Sequence, residues 1–304
     1  VKMKIVECVP NFSEGRDAGK MAAIAAAIES VPDVRLADYS GDADHHRSVF
    51  TFLGKPEEVL KAALAASEKA LKLIDMRQQS GVHPRLGAVD VVPFIPLGGT
   101  KMKEAVALAH LFGRQFAERF SVPVYFYGLA ALTPHRKELA DIRRGGYEAL
   151  KQRMGEPGNL PDVGGSAFNE RSGATVVGAR PPLVAYNVNL DSDDLVLAQH
   201  IASRIREKNG GFKNVRAIGV LLKSRGVAQV SMNFTDCRET PLKIVFDRIR
   251  ELATQGGADI MESELIGLMP SCALAGTTPE YLKLKDFSER RLLETHIRAL
   301  EAAG

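Results

Sequence analysis

Tryptophan is absent from this sequence, tyrosine occurs 6 times and cysteine 3 times. Each shortage excludes something. Cys8, Cys237 and Cys272 are odd in number, widely spaced and form no Cys-x-x-Cys pair, so neither a disulfide framework nor a thiolate zinc site is expected, and the thiols fit a reducing cytosol. Few aromatic residues and no dense run of Lys or Arg argue against a nucleic-acid partner. The most apolar stretches, 22–28 and 89–97, are too short to cross a bilayer, so no membrane partner is expected. The opening "VKMKIVECVP" lacks the apolar core and cleavage site of a secretory signal, which predicts a cytoplasmic protein. No Walker motif and no G-x-G-x-x-G following a strand is present, so no nucleotide cofactor is signalled.

What the chain does have is enough apolar content, 45% of 304 residues, to bury one large core or two modest ones. A net charge of +3 suits a small anionic substrate, although most of the basic residues are read as solvated surface.

The pattern of short apolar runs and helix-period stretches occurs twice. Strand 4–9, helix 19–30, strands 34–39 and 48–53, helix 55–75 and strand 89–95 make a first β-α-β-β-α-β series. Helix 55–75 carries Pro56 and two glutamates at its start, with Val59, Leu60, Ala63, Leu64, Leu71 and Ile74 at helical spacing. A helix at 102–120, a strand at 122–127 and a short helical stretch ending near 152 follow. Residues 154–182 are crowded with Gly and Pro and are read as a long loop. The second series has strands 183–190, 215–222, 227–234 and 260–268 and helices 195–208 and 242–255, before a helical tail at 288–302. The fold class predicted is α+β, with two ferredoxin-like subdomains, antiparallel or mixed sheets and a ligand cleft between them. The predicted division is 1–180, including the Gly-rich loop, and 181–304.

A fourth-first-third-second strand order in the first unit would gather three loops at one end of its sheet. They are "PNFSEGR", "SGDADHHR" and "RQQSGVHPRLG", and they hold the unusual chemistry of this half. His83 precedes a proline and lies between Gly81 and Gly87, a stiff setting for a ring whose ordinary pKa of about 6.5 suits proton exchange. The alternative is a hydrogen-bonded structural histidine. His45 and His46 follow Asp42 and Asp44, but adjacent residues of an extended segment face opposite ways, so no metal site is expected; hydrogen-bonding support for His83 or plain loop polarity is the reading, with His45 a candidate substrate-binding residue. Arg47 and Arg85 are candidates for bidentate pairing with carboxylates, and Lys223, in the second unit's corresponding loop, is a further basic candidate for a substrate carboxylate. Cys8 reads as a buried small hydrophobe. Asn11 and Ser13 are candidates to cap the first helix or to meet a polar substrate group. The loop glycines 158, 164, 165, 173 and 178 would let backbone approach a flat ligand, or mark a tether.

In order along the chain, "ECVPNFSEGR", "HHRSVFTFLG", "GVHPRLGAVDVVPFIP", "SGATVVGAR" and "NVNL" give a sequence that resembles the formiminotransferase family over nearly its whole length. The resemblance implies two ferredoxin-like subdomains around a folate tunnel, a homodimer, tetrahydrofolate as co-substrate and a catalytic histidine in the His-Pro-Arg motif, here His83. It also implies that Gly164, Gly165, Ser166, Ala167, Phe168 and Gly173 belong to the folate-contacting segment. "FNERSG" departs there from a Pro- and Trp-containing stretch associated with animal members. No room for a cyclodeaminase domain is expected in this chain.

The implied activity is glutamate formimidoyl transfer between N-formimino-L-glutamate and N5 of tetrahydrofolate, in histidine degradation, with His83 moving protons between two nitrogens. Nothing in the residues separates this from formyl transfer out of 5-formyltetrahydrofolate. A non-catalytic folate- or RNA-binding protein is the alternative from another class, disfavoured by the absence of aromatic RNA-binding patterns on the strands.

Overall fold

A computed structural model describes residues 2–303 of the chain. The chain divides into two units, residues 1–181 together with 299–304, and residues 182–298.

The first unit is built around a seven-stranded mixed sheet. In chain order its elements are β1 (Lys4–Cys8), β2 (Asn11–Phe12), α1 (Ala18–Glu29), β3 (Val34–Asp42), β4 (Arg47–Gly54), α2 (Pro56–Leu73), β5 (Val89–Gly98), α3 (Met102–Phe120), β6 (Val124–Gly128), α4 (Leu139–Ile142), α5 (Gly146–Arg153) and β7 (Thr175–Ala179). Both β1 and β2 pair antiparallel with β4 on one side and β5 on the other, so they act as one central strand interrupted at Val9 and Pro10. A proline has no N–H to give a ladder, which accounts for the break. With β3 beyond β4, the first four strands take the fourth-first-third-second order.

Two departures from the sequence expectation follow the fifth strand. Residues 154–182 are not all loop, because Thr175–Ala179 forms β7, buried throughout. It lies between β5 and β6 and runs parallel to both, which extends the sheet beyond four strands. A five-residue parallel strand covered on both faces has no alternating pattern, and its Gly178 weakens the strand signal further.

Helices α1, α2 and α3 bury their apolar stripes on one face of this sheet. Helix α2 starts at Pro56 with Glu57 and Glu58 in its first turn, ends near Lys72, and buries Val59, Ala62, Ala63, Leu64, Ala66, Ser67 and Ala70. Those spacings follow the helical repeat, and the charges suit the helix dipole. The core there includes Phe12, Phe50, Phe52, Phe94, Phe112 and Phe116, each fully buried. Burial of each such ring contributes roughly 1.5–3 kcal/mol. A smaller cluster, with Leu86, Val91, Tyr125, Tyr127, Ile142, Leu150 and Val176, is formed with α4 and α5.

The second unit has β8 (Val184–Leu190), α6 (Leu195–Ile205), β9 (Val215–Leu222), β10 (Val227–Phe234), α7 (Leu242–Gln255), β11 (Ile260–Ile266) and the part of α8 (Leu293–Ala303) that precedes Ala299. Its sheet is antiparallel in the order β11-β8-β10-β9, again fourth-first-third-second. Helices α6 and α7 cover it around Tyr186, Phe234 and Phe246. The three cysteines are free thiols. Among the described residues, no helix is long and apolar enough to cross a membrane.

Candidate active site

The three loops singled out in the first unit are tied together by hydrogen bonds. Val82 N donates to the Asp44 carbonyl at 3.1 Å, and Arg16 donates from Nε to Ala43 O and from Nη2 to Ser80 O at 2.9 and 3.1 Å. His46 adds a contact from Nδ1 to Ser80 O at 2.8 Å, with its Nε2 3.3 Å from Glu14. Gly81 lies so close to the β3–β4 turn that a Cβ would stand 2.3 Å from the His45 carbonyl oxygen. Any other residue would push the two loops apart.

Glu14 anchors the first loop. Its carboxylate accepts from the N–H groups of Arg16 and Asp17 and from Lys20 Nζ. Those bonds overcome its partial desolvation and bring its pKa down to about 2. Ser13 does not cap α1, contrary to one of the two roles expected of it: its hydroxyl donates to Gly87 O at 2.8 Å. Asp17 caps the helix by accepting from Lys20 N. Nor does Asn11 cap it; this buried side chain donates to Val9 O across the break in the central strand.

His83 is half-buried between the exposed Val82 and Pro84. Its Nδ1 lies 2.7 Å from the Pro84 carbonyl oxygen, a contact that requires the proton on Nδ1 and leaves the lone pair on Nε2. Arg47, the first residue of β4, places Nη1 2.5 Å from that Nε2. The His45 ring is 5.7 Å away, centroid to centroid. Burial first, then the charges of Arg47 and Arg143 and the His45 ring, hold the His83 pKa well below the ordinary histidine value, against the opposite pull of the Pro84 carbonyl. The imidazole is therefore neutral at physiological pH, in the form that can accept a proton.

Behind His83 lies a charged network that the sequence reading missed. Asp90 is fully buried in β5; one carboxylate oxygen accepts from Leu86 N at 2.8 Å and the other from Arg143 Nη2. The pair fixes the exit of the His83 loop. An aspartate inside the run "AVDVVPFIP" was a visible sign, because a charge in a covered strand needs a partner. Arg85 is also committed within its own chain: it donates to both oxygens of Glu148, at 3.1 and 2.7 Å, and to the side chain and backbone of Gln79. Gln79 in turn donates to His46 O at 2.8 Å. Arg85 thus clamps the loop to α5 and to the β3–β4 turn, and the carboxylate it meets is internal.

The segment 164–173 reaches this region at its C-terminal end. Gly173, at φ 69°, forms a bridge with Gly87, and a Cβ on it would lie 2.0 Å from Leu86 O. Gly164 and Gly165 also have positive φ, at 88° and 73°, and Gly165 has open space where a side chain would stand. Ser166 and Ala167 are exposed, while Phe168 is half-buried with its ring 5.6 Å from that of Tyr147. Lys223 is exposed on the β9–β10 turn of the second unit, and its neighbour Arg225 pairs with Glu262 and Glu264. Among the described residues, no group of three or more His, Cys, Asp or Glu is arranged to hold a metal ion. A separate cavity of about 610 Å³, lined by Tyr125, Arg136, Arg144 and Arg153 among others, includes none of the expected site residues.

A neutral imidazole with one basic nitrogen beside a guanidinium has the chemistry to exchange a proton near neutral pH. Residues 5–180 match the family model described as "Formiminotransferase domain, N-terminal subdomain", and residues 185–300 match "Formiminotransferase domain". The chain belongs to the formiminotransferase family and is a transferase. It is 40% identical over 295 residues to a glutamate formimidoyltransferase of Streptococcus pyogenes serotype M1, covering 97% of this chain and 99% of that one. A glutamate formimidoyltransferase of Thermoplasma acidophilum is 42% identical over 304 residues, with 99% of each chain covered. The formimidoyltransferase-cyclodeaminase of Gallus gallus is 42% identical over 286 residues, which are 92% of this chain and 53% of that protein.

Proposed function

We propose that the protein is a glutamate formimidoyltransferase, moving a formimino group between N-formimino-L-glutamate and N5 of tetrahydrofolate, with His83 as the proton carrier. The observation that carries the reading is the His83 imidazole, with Nδ1 on the Pro84 carbonyl, its Nε2 lone pair facing Arg47 and its pKa held below the ordinary histidine value, in a member of this family. Both substrates are small molecules, and the amine substrate brings carboxylates to a rim that carries Arg47.

A protonated amidine carbon is electrophilic without help, so the protein's work is alignment and proton handling. His83 Nε2 takes a proton from the incoming amine as its nitrogen bonds to the carbon, and returns it to the nitrogen that departs. A positioned acid–base group of this kind contributes ~10²–10⁴-fold. Holding the two amines in register contributes further, since effective molarities reach about 10⁵ M or more. Gly164, Gly165, Ser166, Ala167, Phe168 and Gly173 would hold the folate. The open space over Gly165 and the half-buried Phe168 ring fit a flat ligand. The same reading makes the protein a cytoplasmic homodimer acting in histidine degradation; this part rests on the family resemblance.

The test is to incubate purified protein with tetrahydrofolate and N-formimino-L-glutamate and to identify the folate product by absorbance and mass. Production of 5-formiminotetrahydrofolate supports the reading. Turnover only between 5-formyltetrahydrofolate and glutamate, or folate binding with no turnover, overturns it.

A further inference from the structure

We propose that Arg47 is a positioning residue that masks the basic nitrogen of His83 in the free protein and releases it when a substrate carboxylate takes the guanidinium. This deepens, and rests on, the reading of His83 as the proton carrier.

Arg47 is held differently from the first unit's buried arginines. Arg85 has Glu148, Arg136 has Asp162 and Arg143 has Asp90. Among the described residues Arg47 pairs with no carboxylate, and its Nε is buried without a hydrogen-bond partner. The nearby carboxylate, Asp90, already accepts from Arg143 and Leu86 N. What Arg47 holds instead is an uncharged ring, with Nη1 2.5 Å from His83 Nε2 and 3.2 Å from Nδ1.

A guanidinium binds a carboxylate through two parallel charge-assisted bonds, roughly twice as strong as neutral ones. A single contact to a neutral imidazole cannot compete with that arrangement once a carboxylate arrives. The groups that face His83 are Arg47, Arg143, the His45 ring and the Pro84 carbonyl. Those acting on Arg47 are Arg143, Asp90 and Tyr127; burial and Arg143 bring its pKa down to about 9, so it remains charged at neutral pH. Neutralising Arg47 with an external carboxylate weakens one of the two positive fields on His83 and uncovers Nε2. The base thus gains proton affinity when the amine substrate's acidic end is in place, and the unliganded site keeps its lone pair from solvent.

The experiment follows the His83 ring by NMR titration in the full-length protein, using glutarate as a probe that has the carboxylates but no amine. In the wild-type protein, saturating glutarate is expected to raise the His83 pKa by about one unit, a tenfold gain in proton affinity. Arg47→Gln is expected to show a raised value without glutarate and no response to it. Arg47→Lys, which keeps the charge without the planar fork, is expected to give a reduced response and serves if the first variant does not fold. An unchanged His83 pKa in wild-type protein with glutarate, or a full response persisting in either variant, overturns the proposal. Activity of His83→Ala separates the two levels. Loss of turnover there alongside an unresponsive ring defeats the masking role alone, whereas full turnover defeats the base assignment on which it rests.

Discussion

Replacing Asp90 by Asn tests whether the charged network behind His83 is structural. The substitution keeps an oxygen that can accept from Leu86 N but removes the charge opposite Arg143, whose side chain is only 8% exposed while that of Asp90 is not exposed at all. Breaking one side of a buried pair leaves an uncompensated charge and costs about 3–5 kcal/mol. Because the Leu86 bond survives, the lower end, about 3 kcal/mol, is expected, a sizeable part of a stability of about 5–15 kcal/mol. With a urea slope of about 2 kcal/mol/M, the midpoint for the first unit falls by about 1.5 M. Arg143 also raises the positive field on Arg47, so Asp90→Asn leaves two guanidiniums facing each other. The double variant Asp90→Asn/Arg143→Gln removes that conflict and should recover part of the loss. Urea unfolding followed by far-ultraviolet circular dichroism reads both. A midpoint shift under about 0.3 M for the single variant, or a double variant as unstable as the sum of its parts, refutes the reasoning.

Three further outcomes are expected. His83 has a depressed pKa in the folded protein, so below the unfolded value of about 6.5 the unfolded chain binds more protons and stability falls with pH, by up to about 1.4 kcal/mol per unit. Urea curves taken at pH 7, 6 and 5 should show wild type losing stability relative to His83→Gln by that slope as the pH drops. Glu7 runs the other way: burial raises its pKa to about 7 with Arg180 opposing, so its contribution is complete below the unfolded value near 4.5 and is lost as pH rises through about 7. Glu7→Gln should therefore be more stable than wild type at pH 8, by up to about 3 kcal/mol, and should match it at pH 4. Gly173→Ala puts a Cβ 2.0 Å from Leu86 O at φ 69°, and should cost more than about 1 kcal/mol and weaken tetrahydrofolate binding in equilibrium dialysis.

Much of the architecture was legible because its signals are local. Pro56, the paired glutamates and the apolar spacing identify α2 without any knowledge of its neighbours. The convergence of three loops on one rim followed from strand order, and contacts such as Val82 N to Asp44 O show it. β7 was not legible, since "TVVGA" is short, covered on both faces and set in Gly- and Pro-rich sequence. The site was readable in its residue types but not in their partners. Arg85 carries a visible capacity for bidentate pairing, yet that its carboxylate is Glu148, 63 positions later, is a consequence of tertiary packing. Asp90 stood out as a charge in an apolar strand, while nothing near it announced Arg143. The cap on α1 was misplaced because Ser13, Asp17 and Asn11 are all competent acceptors, and only the fold shows that Ser13 is spent on Gly87.

His83 carrying the proton is the central step of the proposed transfer. The most direct measurement is the turnover number of His83→Ala for formimino transfer, taken on protein whose tetrahydrofolate affinity is measured in the same preparation. A fall of ~10²–10⁴-fold with folate affinity within about twofold of wild type is predicted. Wild-type turnover in that variant would contradict it.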